Sequence, residues 1–241
     1  MLEGDSVPST EKTASISSPG RARTETVRTR IKICGITRPE DAAAAVASGA
    51  DAVGLIFYPP SPRSVDVSTA GSIVAGLPAF TTIVAVFVDP DVDVVRSVLS
   101  KVRVSLIQFH GDENDEFCAD FPVPYIKSLR MSDDADPAQY ATLYPNALGL
   151  LLDGYAVDRY GGTGSQFLWE RARSCQDKPV IIAGGLNAGN VSEALLRSGA
   201  FAVDVSSGVE RQPGIKDHDK ISALCAAVVD HDRQLLDGSH G

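Results

Sequence analysis

The sequence predicts a (β/α)8 TIM barrel, a single α/β catalytic domain preceded by a disordered tail. Three observations carry that expectation. From residue 30 onward, short β-branched or leucine-rich runs alternate with amphipathic helix patterns, eight of each. Most of the strand runs lack clean polar alternation, as expected where both faces of a parallel sheet are buried. The chain of 241 residues matches one such barrel, for which about 250 residues is typical.

The first strand, 30–34, ends in Ile31-Lys32-Ile33-Cys34-Gly35. The stretch Thr37-Arg38-Pro39-Glu40 then starts a helix over 39–48. The strand–helix pairs that follow are 52–57 with 68–76, 81–88 with 91–100, and 104–109 with 113–120. After them come 124–128 with 135–143, 147–152 with 165–173, 179–183 with 188–198, and 201–205 with 217–230. A doubly wound open sheet is the competing architecture. A dinucleotide-binding version would carry G-x-G-x-x-G after the first strand, and Cys34-Gly35-Ile36-Thr37 is not that.

Residues 1–27 are rich in Ser, Thr, Pro and mixed charge without apolar periodicity, and read as a disordered tail ahead of the barrel domain, 28–241. The tail has no apolar segment of a secretory signal, and Glu3, Asp5, Glu11 and Glu25 disfavour an organelle transit peptide. It reads as a dispensable extension or an early start.

Net charge is −9, which argues against nucleic acid as the main partner. An anionic small substrate remains open, because it answers to a few local donors. No apolar run approaches the ~20 residues needed to span a bilayer. Cys34, Cys118, Cys175 and Cys225 form no CxxC pair, so a reduced cytoplasmic setting is expected. No metal is expected, since the four histidines are scattered and none pairs with a cysteine at ligand spacing.

In barrels of this kind chemistry sits at the C-terminal ends of the strands. Period-two geometry puts Lys32 and Cys34 on one face of the first strand and Ile31 and Ile33 on the other. The fourth strand sets Gln108 and His110 against Ile107 and Phe109. The sixth ends in Asp153, and the eighth sets Asp204 and Ser206 against Val203 and Val205. Each has a structural alternative: Lys32 could pair with Asp204 inside the barrel, His110 could cap a loop, Asp153 could start a turn, and Cys34 could be a small apolar filler. Their joint occurrence on several strand ends favours one pocket.

Two turns, Ala183-Gly184-Gly185-Leu186 and Ser206-Ser207-Gly208-Val209, follow the seventh and eighth strands, where barrels often hold phosphate. Arg63 is the only cation in the proline-stiffened loop after the second strand. It could hold a carboxylate, or be a solvated charge. Arg159-Tyr160-Gly161-Gly162-Thr163-Gly164 reads as a lid loop.

These motifs together resemble the phosphoribosylanthranilate isomerase family of tryptophan biosynthesis, over roughly residues 30–230. The segments that carry the resemblance are Lys32–Thr37, Gly49–Gly54 with Arg63, Gln108–Gly111, Leu151–Asp153 with Gly161–Gly164, Gly184–Leu186, and Val203–Glu210 with Pro213-Gly214 and Lys216-Asp217. The resemblance implies a cofactor-free Amadori rearrangement of a small anionic phosphosugar by a monomer or homodimer. It implies Asp153 as general acid, Cys34 as general base and Arg63 on the anthranilate carboxylate. Gly184, Gly185, Ser206, Ser207 and Gly208 match the phosphate turns, and Gln108, His110 and Asp204 match pocket positions. Lys32, two residues from Cys34 on the same face, is expected to lower the thiol pKa. Gly154 stands where the family often has a small hydroxyl residue, which is expected to loosen that turn. The rival readings are a related sugar-phosphate aminoaldose isomerase, disfavoured because Cys34 stands where those enzymes use an aspartate, and a non-catalytic phosphate-binding barrel.

Overall fold

The computed structural model describes residues 28–132, 135–154 and 169–238. Eight parallel strands close into a barrel in chain order, β1 through β8, with β8 returning to pair with β1. They are β1 Arg30–Cys34, β2 Ala52–Ile56, β3 Thr82–Phe87, β4 Leu106–Phe109, β5 Tyr125–Arg130, β6 Leu150–Asp153, β7 Val180–Ala183 and β8 Ala202–Val205. The connecting helices are α1 Pro39–Ala47, α2 Val67–Ala75, α3 Val92–Lys101, α4 Asp115–Ala119 and α5 Pro137–Leu143. After β7 comes α6 Val191–Ser198, and α7 His218–Gly238 closes the chain. Between β6 and β7, residues 169–171 are helical and run into a 3-10 turn, Ala172–Ser174.

Strand periodicity produces two apolar layers. Residues of one parity, such as Ile31, Ile33, Val53, Leu55 and Ile83, pack under the helices. Residues of the other parity fill the barrel interior in two clusters. One is Cys34, Val84 and Val86 with Ala52, Ile56 and Leu106; the other is Ile126, Leu151 and Ala183 with Leu106 and Ile181. Both faces are buried, which is why the strands read as apolar runs. The N-terminal edge of β1 is tied to α7, where Thr29 donates through its backbone N and its hydroxyl to Asp232 at 2.9 and 2.6 Å.

Several boundaries differ from the expectation. α4 is a short helix within the expected 113–120, because Asn114 caps it through the N–H of Phe117 and Pro122 lies just beyond. α5 starts at Pro137 because Asp136 caps it. α7 extends past 230 to Gly238, since no glycine or proline interrupts that stretch. A two-stranded hairpin, β9 Glu210–Gln212 with β10 Ile215–Lys216, was not anticipated. Its signal was the turn pair Pro213-Gly214. The tail 1–27, the proposed lid loop 159–164 and residues 165–168 of the expected helix 165–173 lie outside the described residues.

Candidate active site

β1 places its two unusual side chains at different depths. Lys32 faces the interior, and its ammonium donates to Asp204 Oδ1 at 2.8 Å across the β1–β8 seam. Both side chains are almost wholly buried. One layer higher, Cys34 reaches the C-terminal mouth of the barrel. Its neighbour in the ladder is Gly54. A β-carbon at Gly54 would stand 2.7 Å from Cys34 Sγ and 3.2 Å from Lys32 Cε, so the missing side chain makes room for both.

Above this layer lies a cavity of about 330 Å³. Cys34, Gln108, His110, Asp153, Arg63 and Asp204 line it, with Gly184, Gly185, Ser206, Ser207 and Gly208 at one end. Lys32 does not line it; its place is beneath, paired with Asp204. Asp153 ends β6, and its Oδ2 is 3.3 Å from His110 Nε2. His110 Nδ1 in turn is 3.0 Å from Gln108 Nε2. Gly154 N donates to Ala183 O at 3.1 Å, one more bond of the β6–β7 ladder; the turn beyond it lies outside the described residues.

Arg63 is not a solvated loop charge. Its Nε and Nη2 donate to Glu210 Oε1 and Oε2 at 2.8 and 2.7 Å. The loop carrying it is fastened to β2, where Val65 N donates to Ile56 O at 2.9 Å. Glu210 also accepts from Lys216 Nζ at 2.9 Å and from Gly214 N at 3.1 Å. Lys216 Nζ completes its shell on Ser206 O at 3.1 Å. The hairpin thus carries a buried carboxylate and a buried ammonium that reach the arginine and the phosphate turn. Reading the sequence assigned Glu210 and Lys216 no role: they follow a 3-10 turn, Ser207–Val209, so no strand parity marked them. The two glycine-rich turns are pressed together at Gly208, where a β-carbon would collide with the Leu186 carbonyl.

The electrostatics correct one expectation. Burial pushes the Cys34 thiol above its usual pKa, and the Asp204 carboxylate adds to this; Lys32 and Lys216 pull the other way and do not prevail. Burial also works against the charge on Lys32, but attraction to Asp204 and Cys34 outweighs it and holds the ammonium above its usual value. Lys32 therefore favours a thiolate without producing a resting one. Burial pulls the Lys216 ammonium below its usual pKa despite Glu210. Burial opposes the charge on Glu210, yet hydrogen bonds from Arg63 and Lys216 hold its carboxyl below the usual range. Among the described residues, no group of three or more His, Cys, Asp or Glu side chains is arranged to hold a metal ion.

An acid and a thiol on separate strands thus face one cavity, beside an arginine and two glycine-rich turns. The family model for N-(5'-phosphoribosyl)anthranilate (PRA) isomerase matches residues 31–227. The chain belongs to this isomerase family. The N-(5'-phosphoribosyl)anthranilate isomerase of Neisseria gonorrhoeae is 49% identical over 199 residues, covering 83% of this chain and 96% of that protein. The crystal structure of phosphoribosyl anthranilate isomerase from Thermotoga maritima superposes with a TM-score of 0.76 at 39% identity, covering 84% of this chain and 99% of that one. A phosphoribosyl anthranilate isomerase solved in complex with reduced 1-(o-carboxyphenylamino)-1-deoxyribulose 5-phosphate superposes at 0.73 with 36% identity, covering 84% and 99%. No helix among the described residues is long and apolar enough to cross a membrane.

Proposed function

We propose that this family member converts N-(5-phosphoribosyl)anthranilate into 1-(2-carboxyphenylamino)-1-deoxyribulose 5-phosphate with Asp153 as general acid and Cys34 as general base. The observation that carries the assignment is that both side chains face one cavity from non-adjacent strands, β6 and β1. The turns at Gly184-Gly185 and Ser206-Ser207-Gly208 hold the phosphate with backbone N–H groups, and Arg63 meets the anthranilate carboxylate. These two anions orient the sugar between acid and base.

Asp153 protonates the furanose oxygen as the C1–O bond breaks, and the nitrogen lone pair forms a C1=N iminium. The iminium acidifies the C2 proton, which passes to Cys34. The electron pair left on C2 forms the enolamine and neutralises the nitrogen. Ketone formation then moves a proton to C1 and releases the 2-hydroxyl proton, so the step is an isomerisation with no external redox partner. Because burial holds Cys34 as a thiol at rest, the base form is drawn out by the positive iminium above it and by Lys32 below. The barrel domain 28–241 is sufficient, acts in the cytoplasm as a monomer or homodimer, and needs neither tail nor nucleic acid.

Loss of the substrate's fluorescence measures turnover directly. Asp153→Asn and Cys34→Ala are each expected to cost about 10²- to 10⁴-fold in kcat. Native turnover by either variant would remove that residue from its role. Turnover of only the histidine-pathway aminoaldose by the native protein would overturn the substrate.

A further inference from the structure

We propose that Arg130 is a further substrate-recognition residue: the cation that draws the anionic substrate to the mouth of the cavity, acting on capture and not on the chemical step. The inference rests on the phosphorylated, carboxylated substrate proposed above. What motivates it is a cation at the C-terminal end of β5, in ladder register with Asp153, that the described residues leave unmatched.

β5 runs Tyr125-Ile126-Lys127-Ser128-Leu129-Arg130. Tyr125 and Leu129 pack under the helices, whereas Ile126 belongs to a cluster inside the barrel. Period-two alternation therefore puts Ser128 and Arg130 on the interior face. Ser128 is buried, and Arg130, the last residue of the strand, is exposed. The backbone here is fixed, because Arg130 pairs with Asp153 in the β5–β6 ladder and Met131 N donates to Asp153 O at 3.0 Å. Asp153 lines the cavity and Arg130 does not. The arginine thus stands at the rim on a rigid stem, one strand from the acid. The strand expected from the sequence stopped at 128, so parity did not mark it.

The other cations in or behind the cavity wall are matched by carboxylates. Lys32 donates to Asp204, Arg63 and Lys216 donate to Glu210, and Lys127 donates to Glu113. Arg130 has no ion pair and no side-chain hydrogen bond among the described residues. The chain carries a net charge of −9. The substrate carries about three negative charges, two on the phosphate and one on the carboxylate. At long range the two repel. A cation paired with a carboxylate offers little field to an approaching anion. An unpaired one at the edge of a cleft offers a whole charge, and low-dielectric walls focus it. Rim charges of this kind set association and its salt dependence. Once the substrate is seated, the glycine-rich turns and Arg63 hold its anions, so the chemical step does not need Arg130.

The test is kcat and kcat/KM of the native protein, Arg130→Gln, Arg130→Glu and Arg130→Lys as salt is raised from about 0.01 to about 0.15 M. That change shortens the Debye length from about 30 to about 8 Å. At low salt Arg130→Gln is expected to lower kcat/KM about fivefold and Arg130→Glu about twentyfold, with both deficits narrowing to about twofold at the higher salt. Arg130→Lys keeps the native value, because long-range attraction reads charge and not the guanidinium fork. In all these variants kcat stays within about twofold of native. Arg130 is exposed, so the substitutions leave the fold intact. Native kcat/KM in Arg130→Gln and Arg130→Glu, a deficit that salt does not narrow, an equal loss in Arg130→Lys, or a loss in kcat would each overturn the inference. If the native protein leaves N-(5-phosphoribosyl)anthranilate unconverted, the substrate reading fails instead.

Discussion

Glu210 clasps the guanidinium of Arg63 through two parallel hydrogen bonds, 2.8 Å to Nε and 2.7 Å to Nη2, across 147 residues of chain. A bidentate contact fixes the plane of the guanidinium as well as its position. The same carboxylate pairs with Lys216, whose ammonium also donates to Ser206 O, so one acidic side chain holds both the arginine and an ammonium bonded to the phosphate turn.

Replacing Glu210 by Gln is therefore expected to act on binding more than on chemistry. Arg63 loses its fixed orientation, and KM is expected to rise about tenfold, or ~1.4 kcal/mol of binding, with a smaller change in kcat. Lys216 is left buried beside a neutral amide, which is expected to cost about 2–4 kcal/mol of stability. Steady-state kinetics and urea unfolding of the same preparation separate the two effects.

Glu210 also predicts an acid limit. Its folded pKa lies below the ordinary carboxylate value. Its stabilising contribution is thus fully present above the unfolded value, about 4.3, and is lost as pH falls through the folded one. Asp41 is held below its usual range in the same sense: burial opposes its charge, and hydrogen bonds from Arg38 and His218 outweigh burial. Thermal unfolding midpoints should stay level near neutrality and drop below about pH 4.5. Glu210→Gln should flatten that drop.

The raised pKa of Cys34 predicts a slow thiol in the ligand-free protein. Alkylation by iodoacetamide, followed at Cys34 by peptide mass spectrometry, is expected to keep accelerating beyond the free-cysteine value of about 8.5. Lys32→Met removes a cation that favours the thiolate, so the titration should move to still higher pH. The variant also leaves Asp204 buried and unpaired, at an expected cost of about 3–5 kcal/mol. A Cys34 titration at or below the free value would contradict the burial argument.

Gly54→Ala tests the packing around the thiol. The added methyl would meet Cys34 Sγ at 2.7 Å and the Cys34 backbone Cα at 3.1 Å. Displacing Cys34 is expected to lower kcat by about 10²-fold, with about 1–3 kcal/mol of lost stability. Retained activity would mean that the thiol's position is looser than the ladder suggests.

Gly208→Ala addresses the phosphate end. The new β-carbon collides with the Leu186 carbonyl, so the turns after β7 and β8 must separate. Inorganic phosphate is expected to inhibit the native enzyme competitively and this variant at least about tenfold more weakly, ~1.4 kcal/mol. Equal inhibition by phosphate would place the anion elsewhere.

Much of this arrangement was legible before any coordinates. Eight strand–helix alternations point to a parallel sheet covered on both faces, because apolar runs lack polar alternation, and the pairing of β8 with β1 closes it into a barrel. Strand parity then selected Cys34, Gln108, His110, Asp204 and Ser206, and the end of an apolar run selected Asp153, since a polar residue at such positions points to a cavity. Parity could not separate depth along a strand. Lys32 and Cys34 share a face, yet only Cys34 opens to the cavity, while Lys32 lies a layer lower against Asp204.

Local sequence by itself determined the strands, the covered parallel sheet and the chemistry-bearing ends of β1, β4, β6 and β8, because those follow from periodicities of two and 3.6 residues. Only the tertiary structure decided what the charges do to one another. Glu210 meets Arg63 and Lys216 because the β9–β10 hairpin packs against the loops after β1 and β2. Burial overrides Lys32 in setting the thiol of Cys34 because desolvation depends on every neighbour at once. Pairings across 147 or 172 residues, as in Arg63–Glu210 and Lys32–Asp204, leave no local pattern in the chain. They exist only once the barrel has closed and brought β8 and its hairpin back to β1 and β2.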